Sequence, residues 1–394
     1  MTGIRLNSIK IKNTLAKHIK ALIALTLCCL LSVFTTACSN TSNQPANSEP
    51  VTNNTSKILK PVQFNYLFET ALNDKNWRFI NKHLTNDSIV QYIRDQFPDY
   101  LPTVSTAATL KSTYSTLITN HSLEESGWYY LFSEKTEDYL ISHYRVDMDS
   151  AGYVYLDFYL SPDTFHILDI KNVSTIFSSA ELIIGLAQLA VSEKQKSLLP
   201  LMQATRNKDT AQIKRLWPIL SETHKNNLYL LDVMLRNIAT QHTSFDDKMV
   251  MDILNRMPDS HNPPMAFEDY FIQKEDYDSA LKSIDNMPLF AQQDVKLLSE
   301  RAALYWLKGE LELAHHYAHQ ALVADPYDLE AYLIFLQISI VKKDYPLAIE
   351  LMDVLESRFL LTEWSEVLPE IEGHQDFMQS KAYKTRNRQS KTQS

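Results

Sequence analysis

The chain has 394 residues, of which 38 are Lys or Arg and 47 are Asp or Glu, so its formal net charge is −9. This acidity argues against nucleic acid as a partner, because phosphate binding needs concentrated basic side chains. Only six glycines occur and no two lie close together, which excludes the clustered glycines of phosphate-binding loops and dinucleotide folds.

Residues 1–37 have the pattern of a secretory signal peptide. They carry five basic residues and no acidic one, and a run of 14 apolar or small residues extends from Ala21 to Phe34. That run is shorter than the roughly 20 residues that cross a bilayer as a helix. The segment therefore predicts export and cleavage, the alternative being a membrane anchor that stays uncut.

The segment ends with Phe34-Thr35-Thr36-Ala37-Cys38-Ser39, which resembles the lipobox of bacterial lipoproteins. The resemblance implies that Cys38 becomes the first residue and carries several acyl chains, which together give stable anchoring. Ser39 resembles the residue after the cysteine in lipoproteins of the outer membrane, so it implies a location there, facing the periplasm. The alternative is a plain thiol at Cys38 in an ordinary signal peptide.

Residues 38–59 combine the lipidated Cys38 with a linker. Of the 19 residues at positions 39–57, 12 are Ser, Thr or Asn. So few apolar side chains cannot form a packed core, which predicts a disordered tether between the membrane and the folded part of the chain.

Residues 60–175 form a predicted α+β domain. Apolar residues at spacings of three and four indicate helices in its first half, and the Thr- and Ser-rich segment 103–120 fits no single pattern. After Gly127 the apolar period becomes two, which indicates strands, and turn-like breaks this short make them antiparallel. The expected strands are Trp128–Ser133, Tyr139–Met148, Tyr153–Leu160 and Phe165–Val173.

Helices followed by a curved antiparallel sheet ending in Phe165-His166-Ile167-Leu168-Asp169 resemble the ketosteroid-isomerase and SnoaL-like fold. The resemblance implies that the domain can enclose a ligand pocket. A possible acid–base set shares one sheet face, comprising His143, Arg145, Asp157 and Asp169. The alternative is a solvated sheet face with ordinary cross-strand charge pairs.

Residues 178–360 are helical in pattern and contain a repeat. Positions occupied by small residues recur with a spacing of 34, at Ala280, Ala314 and Ala348. A 34-residue period with a small residue at the helix crossing resembles tetratricopeptide repeats. The sequence thus predicts a mainly α chain, in which a small α+β domain with an antiparallel sheet precedes a C-terminal α-solenoid of tetratricopeptide-like helical hairpins.

In that family the first helix of each hairpin lines a groove that binds a partner. Mapped by the repeat, the resemblance implies six partner-binding residues, namely Lys296, Ser299, Trp306, Glu330, Gln337 and Ile340. Trp306 is the sharpest candidate because exposed tryptophans are frequent hot spots; the alternative is burial between repeats. Residues 361–394 are expected to form a capping helix, with Trp364 and Leu368 over the last repeat, and a basic tail.

No motif for catalysis, a metal or a cofactor emerges. His315 and His319 lie at i and i+4, as a metal pair requires, but no third ligand is evident. We therefore expect no catalytic residue, metal or cofactor, and a non-enzymatic scaffold that is lipid-anchored in the cell envelope and binds a protein partner there. The alternative is a small-ligand-binding protein, or an enzyme, that uses a pocket in residues 60–175.

Overall fold

The computed structural model describes residues 60–122, 126–148, 152–191, 198–241 and 245–393. The predicted signal peptide, Cys38 and the linker lie outside the described residues. Within them the chain is mainly helical, and a four-stranded antiparallel sheet precedes a helical C-terminal region. That part of the predicted fold is confirmed. The described chain falls into two compact units, which divide between Lys308 and Gly309.

The first unit opens with four helices and continues with four strands. The helices are α1 (Pro61–Asn73), α2 (Trp77–His83), α3 (Asn86–Gln96) and α4 (Val104–Asn120). The strands, in spatial order and each antiparallel to its neighbour, are β1 (Ser126–Lys135), β2 (Leu140–Met148), β3 (Gly152–Leu160) and β4 (Ile167–Asn172). The ambiguous Thr-rich segment is α4, which is capped by the Thr103 hydroxyl accepting from the Thr106 N–H.

The first core lies between these helices and one face of the sheet. Phe68 of α1 packs edge-to-face on Tyr144 and Phe158, with ring centroids 5.9 and 5.3 Å apart, and Trp128 lies 6.1 Å from Phe158. All four side chains are buried. Each such aromatic pair adds about 1 kcal/mol beyond its buried area, so this cluster fixes α1 against the sheet.

The outer edge of β1 is covered by α1. The side-chain amide of Asn73 donates to the Trp128 carbonyl at 2.9 Å, and its oxygen accepts from the Trp128 N–H at 2.8 Å. These two bonds imitate those of a neighbouring strand. Because unpaired strand edges invite pairing with other chains, Asn73 protects the sheet from strand addition at this point.

Ten helices complete the first unit. They are α5 (Ser179–Val191), α6 (Leu199–Arg206), α7 (Thr210–Leu216), α8 (Glu222–Lys225), α9 (Leu228–Gln241), α10 (Asp247–Leu254), α11 (Glu268–Lys274), α12 (Tyr277–Asp285), α13 (Leu289–Gln292) and α14 (Val295–Lys308). Short 3-10 turns lie at Trp217–Ile219, Asp259–His261 and Met265–Phe267. A second core surrounds Trp217 and includes Tyr155 of β3, whereas the neighbouring Leu156 belongs to the first core. The sheet is therefore packed on both faces.

The second unit consists of helices. They are α15 (Leu311–Ala324), α16 (Leu329–Val341), α17 (Tyr345–Phe359), α18 (Trp364–Val367), α19 (His374–Gln379) and α20 (Lys381–Gln393), with a 3-10 turn at Leu368–Glu370. α16 packs against both α15 and α17. Trp364 and Leu368 are buried. No helix in the described residues is both long and apolar enough to cross a membrane.

The basic segment at the end of the chain is helical up to Gln393, which the sequence did not predict. Arg386 of α20 bonds Asp353 at 2.8 Å and Glu356 at 2.6 Å, both on α17. Tyr383 is buried beside Phe377, with ring centroids 5.2 Å apart. The partners of Arg386 lie about one repeat earlier in the chain, so local composition alone indicated a basic tail and not a packed helix.

A turn between helices recurs at the 34-residue spacing. Glu275, Gly309 and Lys343 each adopt left-handed backbone, with φ of 64°, 83° and 60°. Five residues after each of them lies a fully buried small residue, at Ala280, Ala314 and Ala348. The predicted period therefore corresponds to a repeated local structure, in which a left-handed residue ends one helix and a buried alanine lies in the first turn of the next.

The same turn also occurs outside the predicted period. Lys75 and Lys208 both have φ of 54°. In each case the next N–H reaches back to a carbonyl five residues earlier, from Asn76 to Ala71 at 2.8 Å and from Asp209 to Ala204 at 2.9 Å. This is the hydrogen bond of a helix that ends in a left-handed residue. The same helix C-cap motif therefore occurs in both the α+β part and the helical part of the chain.

Candidate functional site

The six predicted groove residues differ in accessibility. Lys296, Ser299 and Trp306 lie on α14 of the first unit, and Glu330, Gln337 and Ile340 lie on α16 of the second. Ser299 is 0% and Ile340 is 1% exposed. These two side chains belong to the protein interior and offer no surface to a partner. The other four are half-buried, which leaves part of each side chain available for contact.

The predicted acid–base set is partly assembled on the sheet. His143 of β2 pairs in register with Asp157 of β3, and its Nδ1 lies 2.7 Å from Asp157 Oδ1. The imidazole packs against the rings of Phe132 and Phe290, whose centroids each lie 4.4 Å from its own. His143 is only 3% exposed, so in this conformation no substrate reaches it.

The imidazole Nε2 has no hydrogen-bond partner among the atoms that the structure describes. The nearest carboxylate oxygen, Oε1 of Glu134, is 3.7 Å away, beyond hydrogen-bond distance. A buried polar atom without a partner is destabilising. Because the imidazole is buried and packs against the rings of Phe132 and Phe290, this arrangement is better suited to packing than to proton transfer.

Arg145 forms the polar centre of the same sheet face. Its Nη1 donates to both carboxylate oxygens of Asp294, at 2.9 and 2.8 Å, and its Nε donates to Asp147 at 2.7 Å. The Tyr155 hydroxyl also donates to Asp294, at 2.8 Å. Burial alone would lower the pKa of Arg145, but the negative charges of Asp294 and Asp147 outweigh it and raise that pKa.

These contacts identify what lies over the second sheet face. Phe290 and Asp294 come from the segment that joins α12 to α14, more than 100 residues after the sheet. Three of the four side chains that the sequence offered as a catalytic set or a solvated face, His143, Arg145 and Asp157, therefore belong to a joint between the sheet and the helices of the first unit. The sequence could not show this, because the covering segment is distant in the chain.

Asp169, the fourth member of the set, bonds with a different group of residues. Its carboxylate accepts from the Tyr114 hydroxyl at 2.9 Å, from the Ala180 N–H at 3.0 Å and from its neighbour Ile170 at 2.8 Å. A register shift between β3 and β4 occurs beside it. Burial raises the pKa of Asp169 to about 6, although these hydrogen bonds and one from Ser178 oppose the shift.

The α+β part also contains an open cleft of about 640 Å³. Its lining residues are Asp87, Ser88, Gln91, Tyr92, Asp95, Gln96, Asp138, Tyr139, Ser161 and Leu168. Neither His143 nor Asp157 lines it. Asp87, Gln91 and Asp95 recur every four residues, and this spacing on one face of α3 is the sequence signal that could have revealed the cleft.

Ser88 at the cleft lies close to a histidine, with its hydroxyl 2.7 Å from His166 Nδ1. The same hydroxyl lies 2.7 Å from that of Thr85, which caps α3 by accepting from the Ser88 N–H. The bonds of Ser88 are thus explained by the start of the helix. A serine–histidine contact without a third orienting group does not by itself define a nucleophile.

The candidate metal pair, His315 and His319, lies on α15 together with His316. The His315 ring packs on Phe335, with centroids 4.6 Å apart, and His316 lies 3.1 Å from the side-chain nitrogen of Gln320. Burial lowers the pKa of His315. Among the described residues, no group of three or more His, Cys, Asp or Glu side chains could hold a metal ion.

Comparison with known proteins adds no relative. No protein-family model matches the chain, and neither the curated proteins nor the solved structures contain a significant match. The functional argument therefore depends on the sequence patterns and the geometry above.

Proposed function

We propose that this chain is a membrane-anchored scaffold lipoprotein of the cell envelope, which binds a protein partner through tetratricopeptide-like helical hairpins. The observation that carries the proposal is the helical turn repeated every 34 residues, with buried Ala280, Ala314 and Ala348 behind it. Repeated hairpins bury their apolar faces against neighbours and present long helical surfaces to partners. The anchor part depends on Cys38, which lies outside the described residues.

The partly exposed helix faces also support a binding role. Lys296 and Trp306 on α14, and Glu330 and Gln337 on α16, are half-buried, so each combines a fixed position with an accessible surface. Side chains that packing already holds in place lose little conformational freedom on binding, which favours affinity. Ser299 and Ile340 are no longer among the proposed binding residues, because both are buried.

A second candidate is a small-ligand-binding protein that uses the cleft in residues 60–175. Asp87, Asp95 and Asp138, together with the rings of Tyr92 and Tyr139, line that cleft. A ligand there would be a cation, because carboxylates and aromatic faces both attract positive charge. An upward shift of the melting temperature with spermidine, abolished by Asp138→Asn, would favour this candidate over the scaffold.

The scaffold proposal is tested by crosslinking the full-length chain in intact cells and identifying what is captured with it. We expect Trp306→Ala to lose at least about 70% of the captured partner, because a Trp hot spot is worth about 2 kcal/mol or more. Trp77→Ala, which truncates a half-buried Trp in the α+β part, serves as the matched control. Far-UV circular dichroism checks that both variants keep their helices.

A Cys38→Ser variant tests the anchor in the same cells. It is expected in the soluble periplasmic fraction, whereas the wild-type chain sediments with membranes, because the variant cannot be acylated at this position. Two outcomes would show that the hairpin surface at Trp306 does not bind the partner. Either the wild-type chain captures no protein, or Trp306→Ala and Trp77→Ala capture equal amounts of the partner.

A further inference from the structure

A surface formed by Tyr327, Tyr332, Arg358 and Leu360 lies in the second unit, where the start of α16 meets the end of α17. We call it the tyrosine–arginine surface. Tyr327 is 70% and Leu360 is 57% exposed. The guanidinium carbon of Arg358 lies 5.6 Å from the centroid of the Tyr327 ring and 5.9 Å from that of Tyr332. A cation and apolar side chains are therefore presented together to solvent.

Arg358 is held in place by neutral acceptors. Its Nη1 donates to the Pro326 carbonyl and to the Tyr332 hydroxyl, both at 3.0 Å. The Tyr332 ring in turn packs on Phe359, with centroids 5.7 Å apart. These contacts fix the direction of an exposed arginine side chain, which would otherwise sample many rotamers.

This arrangement leaves one edge of the guanidinium open. Nη1 has two hydrogens and both are used, whereas Nε and Nη2 donate to no atom in the part of the chain that the structure describes. None of the ion pairs formed by the described residues includes Arg358. The Nε–Nη2 edge is a fork of two parallel N–H groups that matches the two oxygens of a carboxylate.

Leu360 is placed where the fold itself gains little from it. It ends α17 in left-handed backbone, with φ of 55°, a conformation that glycine adopts without steric penalty. Its side chain is mostly exposed, so it contributes little to the core. Val323, in the last turn of α15, is 71% exposed and extends the apolar character of this end of the unit.

We propose that the tyrosine–arginine surface binds a peptide segment of the partner protein in which a carboxylate lies beside an apolar side chain. The carboxylate would bond the open edge of Arg358, and the apolar side chain would contact Tyr327 and Leu360. This inference depends on the scaffold function proposed above and specifies the chemistry of the partner. An anionic membrane is the weaker fit, because lipid headgroups attract clusters of Lys and Arg, whereas this surface has a single guanidinium on a chain of net charge −9.

The test measures binding of the purified full-length chain to an array of decapeptides that contain Asp-Leu or Leu-Asp at varied positions. A matched array carries Asn in place of each Asp. We expect binding of the Asp peptides to exceed that of their Asn counterparts about three- to fivefold, because an exposed charged pair with bidentate geometry is worth up to about 1 kcal/mol. Binding should weaken with added salt, because the pair is exposed.

Two variants examine the two halves of the surface. Arg358→Lys keeps the charge but removes the fork, and it should lose most of the preference for Asp over Asn. Leu360→Gly should weaken binding of the same peptides without lowering the melting temperature, because glycine suits the left-handed backbone. Lys343→Gln is the control. It removes the charge of an exposed side chain in the same unit, and that side chain bonds Asp376.

Equal binding of Asp and Asn peptides, or an unchanged preference in Arg358→Lys, would overturn the inference. So would tighter binding to vesicles with 30% phosphatidylserine than to any peptide, since it would assign the surface to the membrane. The crosslinking experiment separates the two proposals. Partner capture that survives both Arg358→Lys and Leu360→Gly leaves the scaffold function standing and rejects this site, whereas capture of nothing by the wild-type chain rejects the scaffold function.

Discussion

Asp169 is a fully buried carboxylate that needs no counter-ion in its immediate contacts. Five hydrogen-bond donors surround it, from the side chains of Tyr92, Tyr114 and Ser178 and from the N–H groups of Ile170 and Ala180. They satisfy its oxygens but do not offset the loss of water, so burial raises the pKa of Asp169 to about 6. At neutral pH the folded chain thus contains a buried carboxylate charge, which is unfavourable.

This raised pKa predicts how stability changes with pH. In the folded chain Asp169 takes up a proton near pH 6, before the unfolded chain does near its ordinary pKa of 3.8. The free energy of unfolding contributed by this group therefore rises as pH falls from about 7 to about 4, by up to about 3 kcal/mol. Asp169→Asn removes this titration, so the difference in unfolding free energy between wild type and variant should change across that window.

Urea denaturation at pH 4.5, 6 and 7.5 measures the effect. Asp163→Asn, which changes an exposed carboxylate in the turn before β4, is the control and should give a difference from wild type that varies little with pH. Stability curves for Asp169→Asn that run parallel to wild type over the whole window would show that Asp169 does not titrate there.

At the scale of elements, the left-handed turn between helices gives the second prediction. Lys208 and Gly309 occupy equivalent positions, with φ of 54° and 83°, and a Cβ added at Gly309 would meet no atom within 4 Å. Lys208→Gly should therefore raise the free energy of unfolding by about 0.5–1 kcal/mol, and Gly309→Lys should lower it by about 1 kcal/mol. Urea denaturation, monitored by circular dichroism, measures the free energy of unfolding of both variants. Changes of the same sign in the two variants would refute the backbone explanation.

The sequence predicted those elements whose signal is local. The period-two pattern located β3 at Tyr153–Leu160, against Gly152–Leu160 in the structure, and the 34-residue period located the recurring turns. The sequence did not predict an element where the local signal was mixed. The Thr-rich α4 has a hydrophobic stripe interrupted by hydroxyls, and only its Thr103 cap indicates a helix.

The candidate site was predictable only within the sheet. Alternation along β2 and β3 placed His143 and Asp157 together, and the structure pairs them. Alternation could not anticipate the register shift that accompanies the separate bonding of Asp169, nor the arrival of Phe290 and Asp294 over the sheet. Both depend on contacts between residues distant in the chain, which no local pattern encodes. The buried state of Ser299 and Ile340 has the same origin, because the repeat gives a helix face but not its full surroundings.

At the scale of the whole first unit, the Arg145–Asp294 pair connects the sheet to the helices. The two side chains are each 8% exposed, so the bond lies in a poorly solvated environment. Asp294 also accepts from Tyr155 and from the N–H of Lys296 at the start of α14. One carboxylate therefore links β2, β3 and α14.

Removing that carboxylate should loosen both sides of the joint. Asp294→Ala leaves Arg145 buried with Asp147 as its remaining partner, and breaking a buried ion pair on one side costs about 3–5 kcal/mol. We expect hydrogen exchange to accelerate in residues 140–148 as well as in α14. Asp278→Ala provides the comparison, because Asp278 pairs with Lys308 while 79% exposed and should cost about 1 kcal/mol or less. If exchange rises only in α14, the sheet and the helices open independently, and the unit is two bodies that merely touch.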